Sequence, residues 1–106
     1  MGRPLNDPLL SVVIPVYNEV RFVHELARRV AAQPFRMELI LVDDGSTDGT
    51  REVLPEIEAE FPQARVVYHP QNRGKGAALR TGFAECKGAV IVIQDAAGGI
   101  PVRLPA

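Results

Sequence analysis

Hydrophobic residues along the chain form four short runs, separated by stretches in which they recur at helical spacing. The runs are rich in β-branched residues, and they cover residues 9–16, 38–42, 64–68 and 89–93. Such runs are typical of buried strands. Between them, apolar residues return every three or four positions, beginning near Phe22, Val53 and Ala78. This is the spacing of a helix with one buried face, so the pattern predicts four strands that alternate with three helices.

Individual residues predict where the helices begin and end. The first helix is expected to end before Pro34, since the residue before a proline avoids the helical conformation. A side chain from residues 46–48 is expected to cap the second helix by accepting a backbone N–H. Pro55 is expected to kink that helix, because proline lacks a backbone donor. The third helix is expected to begin near Gly74 and to close at Gly88 in the left-handed conformation.

The alternation of strands and helices predicts an α/β fold with a mostly parallel sheet, since each crossover is long enough to return the chain to the same edge. Right-handed crossovers place helices on both faces. We therefore expect a Rossmann-like three-layer α/β/α arrangement with four strands in the order 3-2-1-4. The run 89–93 is apolar on both faces, which favours a central position for that strand. Residues 1–8 are expected to be flexible, 9–95 to fold, and 96–106 to form an irregular or disordered tail.

Length and charge narrow the classes of function. The 106 residues suit one compact domain. The chain has 12 Lys and Arg against 13 Asp and Glu, and this balance argues against electrostatic capture of nucleic acid. The single cysteine, Cys86, excludes an intrachain disulfide framework and fits a reducing compartment. Because no apolar run approaches the ~18 residues of a membrane span, we expect a cytoplasmic domain, which a partner or another segment could attach to the membrane.

Polar residues gather where the predicted strands end. These positions are residues 17–19, 43–46, 72–76 and 94–95. In a parallel sheet all of them lie at the carboxyl edge, where ligands of open α/β sheets bind near the point at which the winding direction reverses. With the order 3-2-1-4 the reversal falls between the first and fourth strands. Glu19 and Asp95 are therefore expected to lie close together.

The side chains at this edge suggest a phosphate ligand or a cation. The segment 74–76 (Gly-Lys-Gly) at a helix start offers N–H groups and a positive charge, as a diphosphate cradle would, although its spacing matches neither a Walker A loop nor a dinucleotide fingerprint. Asp43, Asp44 and Asp95 are expected to converge there. Like charges at such a distance call for a cation or a donor-rich ligand, and oxygen ligands favour Mg²⁺ or Mn²⁺ over zinc.

Four motifs in order resemble family 2 glycosyltransferases of the GT-A fold, and most closely the branch of dolichyl- or polyprenyl-phosphate sugar synthases. The motifs are residues 11–19 (SVVIPVYNE), 41–50 (LVDDGSTDGT), 72–79 (NRGKGAAL) and 90–95 (VIVIQD). The resemblance implies an inverting enzyme that uses a UDP- or GDP-linked sugar. It also implies a polyprenyl-phosphate acceptor, and a sheet that forms the nucleotide-binding half of a GT-A fold.

The resemblance assigns roles to the first two motifs. Pro15, Tyr17 and Glu19 are expected to line the base and the ribose. Asp44 is expected to accept a hydrogen bond from the base, and Asp43 to support the turn. In this interpretation the loops after the first two strands recognise the nucleoside.

The last two motifs carry the diphosphate chemistry and also the departure from the family. Lys75 is expected to lie near the diphosphate or to shape its loop. Asp95 corresponds to the first aspartate of the family's Asp-x-Asp motif, which holds ribose and the divalent metal, Mg²⁺ or Mn²⁺. Here the motif reads Asp95-Ala96-Ala97, so the usual chelating carboxylate is absent. The family's catalytic base belongs to a second half, and we therefore expect this chain to be truncated and weak or inactive alone.

Each cluster also has a structural interpretation. The residue types at positions 43–46, Asp, Gly and Ser, are common in turns and helix caps. Lys75 could be a solvated charge and His69 a turn residue. Cys86 is expected in the core. The functional alternative to a transferase is a non-catalytic nucleotide-binding or interaction module. Because half a sheet would expose apolar surface, we also expect a homodimer or marginal stability.

Overall fold

The computed structural model describes residues 8–95, and its elements follow the predicted order. They are β1 (Leu10–Val16), α1 (Val23–Ala31), β2 (Met37–Asp43), α2 (Thr50–Glu60), β3 (Ala64–Tyr68), α3 (Lys75–Glu85) and β4 (Val90–Ile93). Each strand boundary lies within one residue of the prediction. Between residues 8 and 95 no helix has the length and apolar character needed to cross a membrane. The predicted tail 96–106 and nearly all of the predicted flexible N-terminus lie outside the described residues.

The four strands form one parallel sheet in the order β3-β2-β1-β4, which confirms the predicted topology. The central position predicted for the fourth strand was wrong, because β4 lies at an edge of this sheet. Its side chains Val90, Ile91 and Ile93 are 45–48% exposed. The sequence of β4 is that of a strand covered on both faces, but the residues described here leave nearly half of the surface of these three side chains uncovered.

The molecule has three layers, with the sheet between helices. Two helices cover one face of the sheet and one helix covers the other. The larger cluster joins one face of β1 and β2 to α1 and α2 and includes Ile14, Leu41 and Leu54, all fully buried. On the other face Ile40 and Val42 pack against α3. The apolar spacing that predicted α1 is confirmed, since the buried residues of that helix are Val23, Leu26, Ala27 and Val30.

The start of α2 differs from the prediction. The N-cap position is Gly49 rather than one of residues 46–48, and Gly49 has no side chain to act as a cap. The predicted acceptor is nevertheless present, since the carboxylate of Asp48 accepts the N–H of Thr50 at 3.0 Å. The helix continues through Pro55 to Glu60.

The end of α3 also differs from the prediction. The helix ends at Glu85, and Cys86 after it is extended, so Gly88 does not close the helix. Gly88 does not have a positive φ either, so it does not adopt the left-handed conformation that was predicted. Gly88 instead allows two segments of the chain to pass close together, because a Cβ there would lie 2.5 Å from the carbonyl oxygen of Leu9.

A buried glutamate fixes the amino edge of the sheet. Glu38, 8% exposed, accepts hydrogen bonds from Ser11 Oγ at 2.5 Å, from the Lys87 N–H at 2.6 Å and from Arg65 at 3.0 Å. Burial alone would raise the pKa of Glu38, but these hydrogen bonds and the charge of Arg65 outweigh it and lower the pKa. The network therefore ties β1, β2, β3 and the segment before β4 together at the edge opposite the polar loops.

Candidate functional site

An open cleft of about 290 Å³ lies at the carboxyl edge of the sheet, where the polar loops were predicted to meet. The residues that line it are Pro15, Val16, Tyr17, Glu19, Asp44, Asn72, Lys75, Ala78 and Asp95. Six of the seven predicted site residues are among them, including Glu19 and Asp95 from the two sides of the reversal. The remaining one, Asp43, does not line the cleft.

Hydrogen bonds join the loop after β1 to the loop after β2. The N–H of Asn18 donates to Ser46 Oγ at 2.8 Å, and Asn18 Oδ1 accepts the N–H of Thr47 at 2.8 Å. The next residue, Glu19, donates its N–H to Thr50 Oγ1 at 3.0 Å. Asn18 has φ +52°, a left-handed conformation that asparagine adopts more readily than most residues. These contacts fix the backbone between the cleft residues Tyr17 and Glu19.

The carboxylate of Asp44 organises the loop before α3. It is 4% exposed, and it accepts the N–H groups of Arg73 and Gly74, both at 2.9 Å, and a hydrogen bond from His69 Nδ1 at 2.8 Å. Burial alone would raise the pKa of Asp44, but hydrogen bonds from His69, Arg73 and Gly74 outweigh it and hold the pKa below the ordinary 3.8. The loop from β3 to α3 is therefore built around an ionised carboxylate.

The buried position of His69 at the carboxyl edge of the sheet was not predicted from the sequence. His69 was interpreted as a turn residue, but it is 4% exposed and its ring lies between Asp44 and Thr81. An ionised carboxylate only accepts, so Nδ1 donates to Asp44, and Nε2 lies 2.8 Å from Thr81 Oγ1 on α3. The available signal was its position directly after β3, at the edge that Asp43 and Asp44 share.

Asp43 supports the turn rather than the cleft. Its side chain is fully buried, accepts the N–H of Ser46 at 3.2 Å and lies 3.4 Å from Arg51 Nε on α2. These two contacts hold the turn after β2 against the start of α2.

Gly45 brings the loop after β2 into contact with the loop before α3. Its φ is +80°, and a Cβ there would lie 2.5 Å from the backbone of Gln71 and Asn72. Both neighbours are main-chain atoms that cannot rotate away, so only glycine fits without displacing the segment that contributes Asn72 to the cleft.

An ion pair connects α3 to the end of β4 across the cleft. Lys75 Nζ lies 2.5 Å from Asp95 Oδ2, and both side chains are about half exposed. Among residues 8–95 no group of three or more His, Cys, Asp or Glu side chains is arranged to hold a metal ion.

Comparison with known proteins identifies the family. The sequence profile described as glycosyl transferase family 2 matches residues 11–96. The chain belongs to glycosyl transferase family 2. This confirms the resemblance on which the site residues were assigned.

Among the similar members of glycosyl transferase family 2 is an undecaprenyl-phosphate 4-deoxy-4-formamido-L-arabinose transferase from Pseudomonas savastanoi, 40% identical over 89% of this chain and 29% of its own length. A dolichyl-phosphate beta-glucosyltransferase from Trichomonas vaginalis is 36% identical over 87% of this chain and 30% of its own length. The chain thus spans less than a third of these relatives.

A solved structure of a mannosyltransferase from Pyrobaculum calidifontis in complex with GDP-Man and Mn²⁺ superimposes with a TM-score of 0.80. It is 30% identical in sequence, and the match covers 87% of this chain and 28% of the mannosyltransferase. The sheet described above thus has the Rossmann-like architecture of a GT-A glycosyltransferase.

Proposed function

We propose that residues 9–95 bind a nucleotide-diphosphate sugar, UDP- or GDP-linked, and form the donor-binding half of an inverting glycosyltransferase. The observation that carries the proposal is the cleft itself, in which loops from four parallel strands place an aromatic ring, carboxylates and a lysine around one space. The mannosyltransferase structure described with GDP-Man supports this choice of ligand.

Tyr17 and Asp44 are assigned to the nucleoside, together with Pro15 and Glu19. The ring of Tyr17 is 45% exposed at the cleft and offers a stacking surface for a base. A carboxylate has about four acceptor positions, and Asp44 uses three of them within the protein. The position that remains can accept a hydrogen bond from the base, while Asp43 supports the turn from below.

Lys75 is assigned to the diphosphate. It is the first residue of α3, and the first N–H groups of a helix have no partner within it, so both the ammonium group and the helix start attract phosphate oxygens. When an acceptor oxygen attacks the anomeric carbon, the bond to the nucleoside diphosphate breaks and negative charge grows on the leaving group. Lys75 would stabilise that charge.

The acceptor and the complete reaction are extrapolated from the relatives, which carry undecaprenyl phosphate and dolichyl phosphate in their names. We infer a polyprenyl-phosphate acceptor and a peripheral position at the cytoplasmic face of the membrane. None of the described residues is assigned as the catalytic base. The chain spans 29% of the Pseudomonas relative, so we expect it to bind donor but to transfer sugar weakly or not at all alone. The sequence Asp95-Ala96-Ala97 favours, as the second candidate, a nucleotide-binding module without transfer.

Calorimetric titration of the 106-residue chain with UDP and GDP tests the proposal. Replacing Tyr17 by alanine removes the stacking surface. Because stacking of a base on an aromatic ring contributes about 1–3 kcal/mol, Tyr17→Ala should weaken binding of the preferred nucleotide about tenfold. Phe22→Ala is the matched control, since Phe22 is also an exposed aromatic residue but does not line the cleft. Failure of the folded chain to bind either nucleotide would refute the proposal.

A further inference from the structure

Lys75 and Asp95 form a charge pair inside the cleft that the proposed function leaves unexplained. We propose that the ammonium group of Lys75 takes the place of a divalent cation, so that this chain binds nucleoside diphosphates without Mg²⁺ or Mn²⁺. The inference rests on the proposed donor site and adds the identity of the positive charge that contacts the diphosphate.

The position of Lys75 is the first argument. Its Nζ lies 2.5 Å from Asp95 Oδ2, at the motif position where the resemblance places a metal ion. The side chains are 57% and 41% exposed, so a ligand in the cleft can reach the pair. Lysine binds phosphate as a compact point charge, and here that charge is fixed beside the carboxylate that a metal would need.

The supply of metal ligands is the second argument. Mg²⁺ is usually held by one or two carboxylates together with substrate phosphates and water. Asp44 is committed to three hydrogen-bond donors, and Asp95 contacts Lys75. The second carboxylate of the Asp-x-Asp motif is replaced by Ala97 in the sequence. Within residues 8–95 no three or more His, Cys, Asp or Glu side chains are grouped so that they could hold a metal ion.

Electrostatics completes the argument. A divalent cation bound to Asp95 would lie within a few ångströms of the ammonium group and would be repelled by it, so the metal and Lys75 compete for one carboxylate. When a diphosphate enters, Lys75 can contact a phosphate oxygen while it stays close to Asp95. Lys75 then supplies one positive charge to the diphosphate from within the chain, although it does not neutralise the whole group.

The test is calorimetric titration of the 106-residue chain with UDP and GDP in EDTA and in MnCl₂. We expect the dissociation constant of the preferred nucleotide to differ less than about twofold between the two conditions. In EDTA, Lys75→Met should weaken binding at least about tenfold, and Lys75→Arg should retain most of it. Lys87→Met is the matched control, because Lys87 is an exposed lysine that does not line the cleft.

The remaining outcomes distinguish failure of the cation replacement from failure of the proposed donor site. Binding that disappears in EDTA and returns with Mn²⁺ would overturn the cation replacement and leave the donor site intact. Metal-free binding that is unchanged in Lys75→Met would also overturn it. If the folded chain binds neither nucleotide in either condition, the proposed function fails, and the inference fails with it.

Discussion

Replacing Asp44 by asparagine tests whether one buried carboxylate holds the cleft together. The side chains have the same size, so the substitution leaves no cavity and removes only a negative charge and one acceptor atom. In the native protein one oxygen of Asp44 accepts from Arg73 and His69, and the other accepts from Gly74. In either orientation of the amide, its NH₂ group faces at least one backbone N–H, and two donors cannot bond to each other.

The magnitude follows from this geometry. A hydrogen bond to a charged group contributes about 1.5–3 kcal/mol, and a buried donor left without a partner costs about 1–3 kcal/mol. Asp44 is 4% exposed, so water compensates only a small part of the lost acceptor. We expect Asp44→Asn to lower the free energy of unfolding by about 2–4 kcal/mol, a large share of the ~5–15 kcal/mol typical of a domain.

Urea denaturation followed by circular dichroism measures this loss at neutral pH. Thermal unfolding should agree, since for a domain of this size each kcal/mol lowers Tm by about 4–8 °C. Glu56→Gln is the control, because it removes an exposed carboxylate of α2, and substitutions of this kind usually change stability by less than about 0.5 kcal/mol. A loss in Asp44→Asn no larger than in the control would refute the structural role of the carboxylate.

Acid supplies an independent check on the same carboxylate. The folded pKa of Asp44 is lowered from 3.8 by hydrogen bonds that outweigh its burial. A lowered folded pKa contributes stability that is fully present above the unfolded value and is lost as pH falls through the folded value. The stability difference between wild type and Asp44→Asn should therefore be constant near neutrality and should shrink below pH 3.8. Titrating groups that do not contact Asp44 are shared by both proteins, and their contributions cancel. A difference that stays constant on acidification would contradict the assignment.

Three further substitutions test separate features. Asn18→Ala should lower stability by about 1–3 kcal/mol, because it combines the strain of a left-handed alanine with the loss of a hydrogen bond; Asn18→Gly should lose less, and equal losses in urea denaturation would exclude strain. Gly45→Ala should weaken nucleotide binding in calorimetry, since the new Cβ meets the backbone beside Asn72, and unchanged affinity would show that the loop does not shape the cleft. Because β4 exposes apolar side chains, sedimentation equilibrium should show self-association that Ile93→Lys reduces, and a monomeric wild type would remove the predicted dimer.

The order of the elements and the topology could be predicted because they depend on local patterns. Apolar runs, helical spacing and crossover length are read within about ten residues, and they led to the parallel order 3-2-1-4 that the structure has. The position of β4 was predicted wrongly because a run that is apolar on both faces indicates that both faces of the strand should be buried. It does not indicate whether the strand lies in the centre or at an edge of the sheet. The sequence indicates burial, but the described residues leave Ile91 and Ile93 about half exposed.

The contacts that build the cleft could not be predicted from local patterns, because they join residues far apart in the chain. His69 bonds to Asp44, 25 positions away, and to Thr81, 12 positions away. Gly45 approaches Asn72, and no spacing rule connects the two. The motifs identified which residues gather at the edge, but the partner of each one depends on how the loops lie against each other.

A series of contacts between neighbouring loops joins the parts of the cleft to one another. Asn18 joins the first loop to Ser46 in the second, Asp44 joins the second to Gly74 in the third, and Lys75 joins the third to the end of β4. Each contact needs two strands already in register, so the site exists only when the whole sheet has formed. A substitution in one loop should therefore reach the others through their shared hydrogen bonds. This dependence explains why motifs separated by 10 to 21 residues meet at one cleft: each supplies a group that lines the cleft and also a partner that holds its neighbour in place.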